Sequence, residues 1–439
     1  MSSFSSRVIF FLIHCVVHLV FYVVPETLFN LLFRWPICLL EWMIGEKEFT
    51  LAAWKERRIA AVGSRCSSAI YDSFGLGSCT MYEGPMYGGH VHTILGSLRP
   101  SCKVDYTRET VTAEDGNSLC IDFFPLISAS ETAVRGLVLI LPGLLGCSQS
   151  TYVRRAVTLL SREGFYVAVL NTRGVEGAPL EKAQIFGAVF TMDLRHVLKN
   201  HFSSTQVQER LKCRQPKPLI ALGFSFGGVV LCKYLGEQGL RKEPSQLRAA
   251  IVFNSPYDLN EADDAMNHSL YGHSFAKELV AYADRHKTVM KQLPLVDTEL
   301  LFEGNHPLLY RLRSVAQFDC HVTAPHFGFR SPEEYYSAAS CFVSLLTAQV
   351  PVLCIAVRND PICGKPPNIR RWEKLANTNA NVTYIEMPSG GHMGYLGNPI
   401  AELQQKANEG ERLILWALQC FCKNYLAETE LGVGSKIAL

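Results

Sequence analysis

Three residues of this 439-residue chain have the types needed for nucleophilic acyl chemistry: Ser225, Asp360 and His392. Ser225 is the centre of Gly223-Phe224-Ser225-Phe226-Gly227, a G-x-S-x-G. A serine hydroxyl is a weak nucleophile. It needs a base to take its proton, and the base needs an acid to fix its orientation. His392 lies in "PSGGHMGYLG", where glycines on both sides free the loop to approach a serine. Asp360 precedes Pro361, so the chain turns there. The G-x-S-x-G pattern by itself also fits a small-residue junction before a buried helix, and the surrounding elements must decide.

Those elements are legible. Leu219–Leu222 form a short apolar run that reads as a buried strand, and Val229, Val230, Leu231, Tyr234 and Leu235 follow with helical spacing. Ser225 therefore sits on a strand-to-helix reversal, with Gly223 and Gly227 keeping side chains out of the turn. Upstream, "GLVLILPG" and "FYVAVLNTRG" read as buried strands and "YVRRAVTLLSREG" as an amphipathic helix. Asp115-Gly116 marks a hairpin. Downstream, "LRAAIVFNSP", "VPVLCIAVRND" and "NVTYIEM" continue the alternation. Buried strands alternating with helices predict an α/β fold: a mostly parallel sheet with helices on both faces and functional groups beyond the strands' carboxyl ends. Asp360 and His392 each follow a strand, and the order Ser, Asp, His is one of the known triad orders.

Two backbone N–H groups would stabilise the oxyanion: Phe226, at the start of the helix, and Leu144, in the "PGLLGCSQS" loop after the first buried strand. Ser148 or Ser150 of that loop would cap the following helix. His90 and His92 in "GGHVHTILGSL" would point the same way on a strand and could ligate a metal, but no third ligand is near in sequence. Structural hydrogen bonding is the expected role for them, and for His321 and His326. No metal and no cofactor is expected.

A net charge of +2 with no run of basic residues gives no footprint for nucleic acid. Fifteen scattered cysteines without a framework suggest buried, reduced thiols. Residues 8–24, "VIFFLIHCVVHLVFYVV", are apolar apart from His14 and His18, and predict an uncleaved signal anchor that makes a single pass, type II, through a membrane. Residues 28–44 read as interfacial. The other reading of the apolar run is a helix buried against the domain. Asn267 and Asn381 head glycosylation sequons, usable only on a lumenal side. The expected organisation is an anchor over 1–45, a lead-in over 46–103, a catalytic domain over 104–428 and a tail over 429–439. An irregular insertion at about 258–348, rich in Tyr, His and Phe, would form a cap or lid over the site.

Several stretches together resemble the α/β-hydrolase-domain (AB hydrolase-4) family of membrane-anchored animal lipases and phospholipases and yeast ethanol acyltransferase/esterases. They are "GGHVHTI", "LPGLLGCSQSTYVRRAV", "LNTRGVEG", "GFSFGGVVLCKYLGEQG", "FNSPYDL", "FDCHVTAPHFGFRSPEEYYSAAS", "NDPIC" and "GGHMGYL". The chain departs from that family at Val175, His92 and Asn359, none of them in the triad. The resemblance implies Ser225 as nucleophile, Asp360 as acid, His392 as base, and hydrolysis of a lipid ester. Transfer of the acyl group to an alcohol, and a non-catalytic membrane scaffold, are the competing functions.

Overall fold

The computed structural model describes residues 4–22, 60–63, 84, 87–125, 134–267 and 269–430. Among them, nine strands form one sheet in the order β1-β9-β8-β7-β6-β4-β5-β3-β2. The strands are β1 (Ala60–Val62), β2 (Thr107–Thr112), β3 (Ser118–Phe124), β4 (Gly136–Leu141), β5 (Phe165–Leu170), β6 (Leu219–Phe224), β7 (Ala249–Phe253), β8 (Val352–Val357) and β9 (Val382–Met387). From β4 to β9 every pairing is parallel; β1, β2 and β3 run antiparallel at the two edges. The hairpin between β2 and β3 turns at Gly116, whose φ of 81° suits glycine.

The main helices are α1 (Phe4–Tyr22), α2 (Gly89–Ser97), α3 (Thr151–Arg162), α4 (Met192–His201), α5 (Ser204–Leu211) and α6 (Phe226–Arg241). They continue with α7 (Leu259–Met266), α8 (Leu270–Arg285), α9 (Pro332–Ala339), α10 (Ile369–Thr378), α11 (Pro399–Leu403) and α12 (Glu409–Glu430). The central strands are buried on both faces because each face has its own helical layer. Leu137, Leu139 and Leu141 of β4 face a core shared with α4, α5, α6 and Trp372 of α10. Val138 and Ile140 face the opposite core, with Val153, Val157 and Leu160 of α3 and Leu418 and Phe421 of α12. The period-two alternation thus feeds two cores at once, each fully buried aliphatic side chain contributing about 1.5–3 kcal/mol.

Helix α6 runs on past Gly236 to Arg241. A Cβ on Gly236 would lie 2.7 Å from Ser344, and one on Gly239 would lie 1.7 Å from the Thr347 carbonyl oxygen. The glycines thus admit the 343–347 turn against the helix instead of ending it.

The segment 258–348 differs from its irregular reading. It is a succession of helices, short except for α8, and Asp258, Ser269, Asp297, Ser314 and Ser331 each cap one by accepting a backbone N–H. Leu279, Tyr282, Met290, Leu301, Phe302 and Phe318 form an apolar core there with Val175, Leu180 and Ile185.

The expected anchor also differs. Residues 4–22 form a helix, but among the described residues no helix is long and apolar enough to cross a membrane. Phe10 and His14 of α1 are buried against the domain, and α1 packs on α11. The two histidines that interrupt the apolar run both meet Tyr87: His14 Nε2 lies 3.1 Å and His18 Nδ1 2.7 Å from its hydroxyl. Residues 23–24 of the run, the interfacial segment 28–44 and the tail 431–439 lie outside the described residues. Described cysteines are free thiols. Asn381 uses its side-chain amide to donate to the Ala348 carbonyl at 3.1 Å.

Candidate active site

Ser225 lies between β6 and α6 with φ 50° and ψ −120°, a conformation that L-residues rarely adopt and that costs of order 1–3 kcal/mol. The neighbours over-determine it. Ser225 N–H donates to the Phe253 carbonyl at 2.9 Å, and its own carbonyl accepts from Gly228 N–H at 2.9 Å. A Cβ on Gly223 would lie 2.6 Å from Gly228 Cα, and one on Gly227 would lie 2.3 Å from the Leu141 carbonyl oxygen. The crossing is therefore too close for any side chain at either position.

Asp360 and His392 come together beyond the carboxyl ends of β8 and β9. His392 Nδ1 lies 2.9 Å from Asp360 Oδ2, with both side chains almost fully buried. The other oxygen, Oδ1, accepts the backbone N–H groups of Ile362 at 2.8 Å and Cys363 at 2.9 Å. Burial alone would raise the Asp360 pKa. The His392 charge and hydrogen bond and the two N–H donors outweigh it, and the carboxyl is held below its ordinary value. An ionised acid that accepts from Nδ1 leaves Nε2 as the basic nitrogen.

Asn254, just after β7, ties these parts together. Its Nδ2 donates to Asp360 Oδ2 at 3.3 Å and to the Gly391 carbonyl at 2.9 Å, while its Oδ1 accepts from Tyr395 O–H at 2.8 Å. It does so at φ 47°, which asparagine tolerates better than most residues. Phe253, the residue before it, is the one that holds Ser225 N–H, so one strand end spans Ser225 and the His392–Asp360 pair. Asn359 anchors the histidine loop from the other side: its Oδ1 accepts from Gly390 and Gly391 N–H, each at 3.1 Å. The sequence reading assigned no role to Asn254. Its signal was an asparagine at a strand end in "FNSPYDL".

Phe226 opens α6, where the N–H has no intrahelical acceptor. Leu144 follows Gly143, whose N–H donates to Tyr152 O–H at 2.8 Å. A Cβ on Gly143 would sit 3.2 Å from Ser225 Cβ. Leu144, Ser225 and Phe226 line one cavity with Phe186, Leu259, Met266, Phe275, Leu279, Tyr335 and Tyr336, mostly from the 258–348 segment. Ser148 and Ser150 do not cap α3 through side-chain bonds: Ser148 Oγ donates to Asp122 at 2.6 Å, and Ser150 Oγ accepts from Cys147 N–H at 3.1 Å.

His90 and His92 are on helix α2, not a strand, so a spacing of two points them apart. His92 is buried between Ser389 Oγ at 3.0 Å and the N–H of Leu396 at 3.0 Å; His90 meets Tyr271 O–H at 2.9 Å. His326 departs from its expected role. Both its ring nitrogens are buried without a hydrogen-bond partner among the described residues, its ring stands edge-on to Phe327, and burial lowers its pKa to about 4. Among the described residues, Asp360, Cys363 and His392 bring three potential metal ligands within 4.8 Å of one another. Yet the carboxylate is already engaged by four donors. The Cys363 thiol, pushed well up by burial and by Asp360, donates to the Asn254 carbonyl at 3.1 Å. Ligands for a cation need free lone pairs and a deprotonated sulfur, so the arrangement suits proton transfer better than coordination.

A strand–elbow–helix serine, a buried histidine–carboxylate pair and a shared sheet edge are the parts of one fold, and residues 136–399 match the alpha/beta hydrolase fold family. The chain belongs to that family. The α/β-hydrolase chain is similar to the embryogenesis-associated protein EMB8 of Picea glauca, 31% identical over 70% of this chain and 65% of the relative. It is 33% identical to the medium-chain fatty acid ethyl ester synthase/esterase 2 of Saccharomyces cerevisiae, over 59% of this chain and 58% of the relative. It is 26% identical to phospholipase ABHD3 of Homo sapiens, over 67% of each. The α/β-hydrolase chain thus spans less than two thirds of the length of the first two relatives.

Proposed function

We propose that this α/β hydrolase cleaves acyl esters of lipids through Ser225, Asp360 and His392. The observation that carries the reading is Ser225 in its strained elbow at an apolar cavity, one strand end away from a buried His392–Asp360 pair. In this mechanism Ser225 Oγ attacks the ester carbonyl while His392 Nε2 takes its proton. The N–H groups of Phe226 and Leu144 hold the oxyanion. His392 then protonates the leaving alcohol, and water, activated by the same nitrogen, releases the acid. Asp360 holds the imidazole in place and stays ionised throughout. The 258–348 segment acts as a cap whose apolar side chains cover the acyl chain.

The cavity's apolar lining favours a lipid substrate, as do the relatives named as an esterase and a phospholipase. The outer face of α1 supports a location at a membrane surface. Ile9, Leu12, Val16 and Leu19 of α1 are more than half exposed. An apolar face of this kind lies in the headgroup region without spanning the bilayer.

Purified protein offered diacylglycerol, phosphatidylcholine and short aryl esters should release free acid, and Ser225→Ala should not. Adding ethanol tests the second reading, which the yeast relative named as an ethyl ester synthase favours: ethyl ester as the dominant product would make the protein an acyltransferase. Release of acid from water-soluble esters alone would remove the lipid assignment.

A further inference from the structure

The cavity at Ser225 has a second chamber behind it. Phe186, Gly187 and Phe226 line both. The rear chamber is lined further by Leu141 at the end of β4, Leu194 of α4 and Val230 of α6, with Arg173 on one side. Arg173 is not a free charge there. It pairs with Asp115 and Asp193, donates to the Gln184 carbonyl at 2.9 Å and lies over the Phe190 ring, 4.7 Å from its centroid. The chamber therefore needs no counter-ion, and most of its remaining wall is apolar. Of the three shared residues, Gly187 brings no side chain and Phe226 carries an oxyanion donor. The Phe186 ring is thus the partition that a substitution can remove.

The ring is held in place. It stands edge-on to Phe226 with centroids 6.0 Å apart and edge-on to Tyr282 at 5.2 Å, contacts that favour a fixed orientation. Its backbone is pinned as well. Ala188 N–H donates to the Tyr335 hydroxyl at 2.8 Å, and a Cβ on Gly187 would lie 2.3 Å from the Phe327 ring. We propose that Phe186 determines acyl-chain specificity: its ring sets how far the acyl chain of the ester runs from Ser225, and the chamber behind it is a latent extension of the acyl site. The inference rests on the lipid-ester reading of the same cavity and adds a length limit to it. The acyl chain is the apolar arm of a lipid ester, whereas the leaving alcohol carries polar groups for which apolar walls offer no partner. Each methylene buried along the cavity favours binding until the chain meets the ring; carbons beyond that point turn back toward water and contribute little.

The test uses the full chain and the p-nitrophenyl esters of butyrate, octanoate, laurate and palmitate. In the wild type kcat/KM should rise with chain length and then level off. Phe186→Ala should carry the rise to longer chains and multiply the laurate-to-butyrate ratio by about tenfold or more, since each methylene newly buried is worth about fourfold. Phe186→Trp should end the rise earlier, and it reads the limit even if the alanine variant does not fold. The double variant Phe186→Ala with Val230→Phe refills the chamber from its far wall. It should return the ratio toward the wild-type value, a reversal that a merely loosened loop would not show. A ratio raised by Phe186→Ala and left in place by Val230→Phe would overturn the proposal. So would a shift that follows the alkyl chain of the alcohol, in butyrate esters of longer alcohols, instead of that of the acid. Hydrolysis of none of the esters by the wild type would overturn the hydrolase reading itself. Hydrolysis with the same length profile in the wild type and the Phe186 variants would sink this inference alone.

Discussion

Thr93 Oγ1 accepts the backbone N–H of His392 at 2.8 Å, across 299 residues of chain. The same hydroxyl donates to the Gly89 carbonyl at 2.8 Å, so helix α2 holds the His392 loop through one atom that both gives and receives. The loop needs that hold, because Gly390, Gly391 and Met393 beside the histidine all have positive φ.

Thr93→Val keeps the shape and removes both bonds. We expect a loss of about 1–3 kcal/mol in stability for the stranded N–H, and a fall in kcat larger than any change in KM. Thr93→Ser should restore most of the rate. Denaturant melts with steady-state kinetics measure both; an unchanged kcat in the valine variant would contradict the role.

Asn254 combines strain with hydrogen bonding, and two variants separate these. Asn254→Gly relieves the φ of 47° but loses the bonds to Asp360, Gly391 and Tyr395; Asn254→Ala loses the bonds and keeps the strain. Both should lose activity, with alanine the less stable by about 1 kcal/mol. Equal stability of the two would show that the backbone conformation costs nothing.

Glu411 receives Arg155 Nε at 2.7 Å and Arg99 Nη1 at 3.2 Å, stapling α12 to α3 and to the chain just after α2. Burial would raise its pKa, but the two guanidinium groups outweigh it and the value falls to about 2. A carboxyl depressed in the folded state binds fewer protons there than in the unfolded chain. Its contribution is fully present above the ordinary glutamate range and is lost as pH falls toward 2. The melting temperature of the wild type should therefore drop more steeply between about pH 5 and pH 3 than that of Glu411→Gln. Parallel curves for the two would contradict the staple.

Gly227→Ala should abolish soluble protein or shift it to aggregates, since the added methyl would meet the Leu141 carbonyl 2.3 Å away and backbone cannot step aside. Circular dichroism and size-exclusion chromatography decide it. A folded, active alanine variant would mean that the elbow tolerates a wider crossing.

The succession of strands along the chain from β2 onward and the positions of Ser225, Asp360 and His392 were legible because they depend on local patterns: apolar runs, glycines at a turn, a proline after an aspartate. Thr93 and Asn254 were not. Their roles arise from contacts between segments far apart in the chain, which one sequence does not encode as spacing. The apolar run of α1 could not be placed for a related reason: hydropathy cannot tell a helix surrounded by lipid from one whose histidines face a tyrosine of the same chain. The 258–348 segment looked irregular because all its helices but Leu270–Arg285 are too short to show a period, although their Ser and Asp caps were in plain view.

The central claim is that Ser225 is the nucleophile. Wild-type protein treated with a fluorophosphonate and digested should carry the adduct on the peptide containing Ser225, located by mass spectrometry. Ser225→Ala should carry none while melting at nearly the same temperature. An adduct at another serine, equally strong in the alanine variant, would contradict the account.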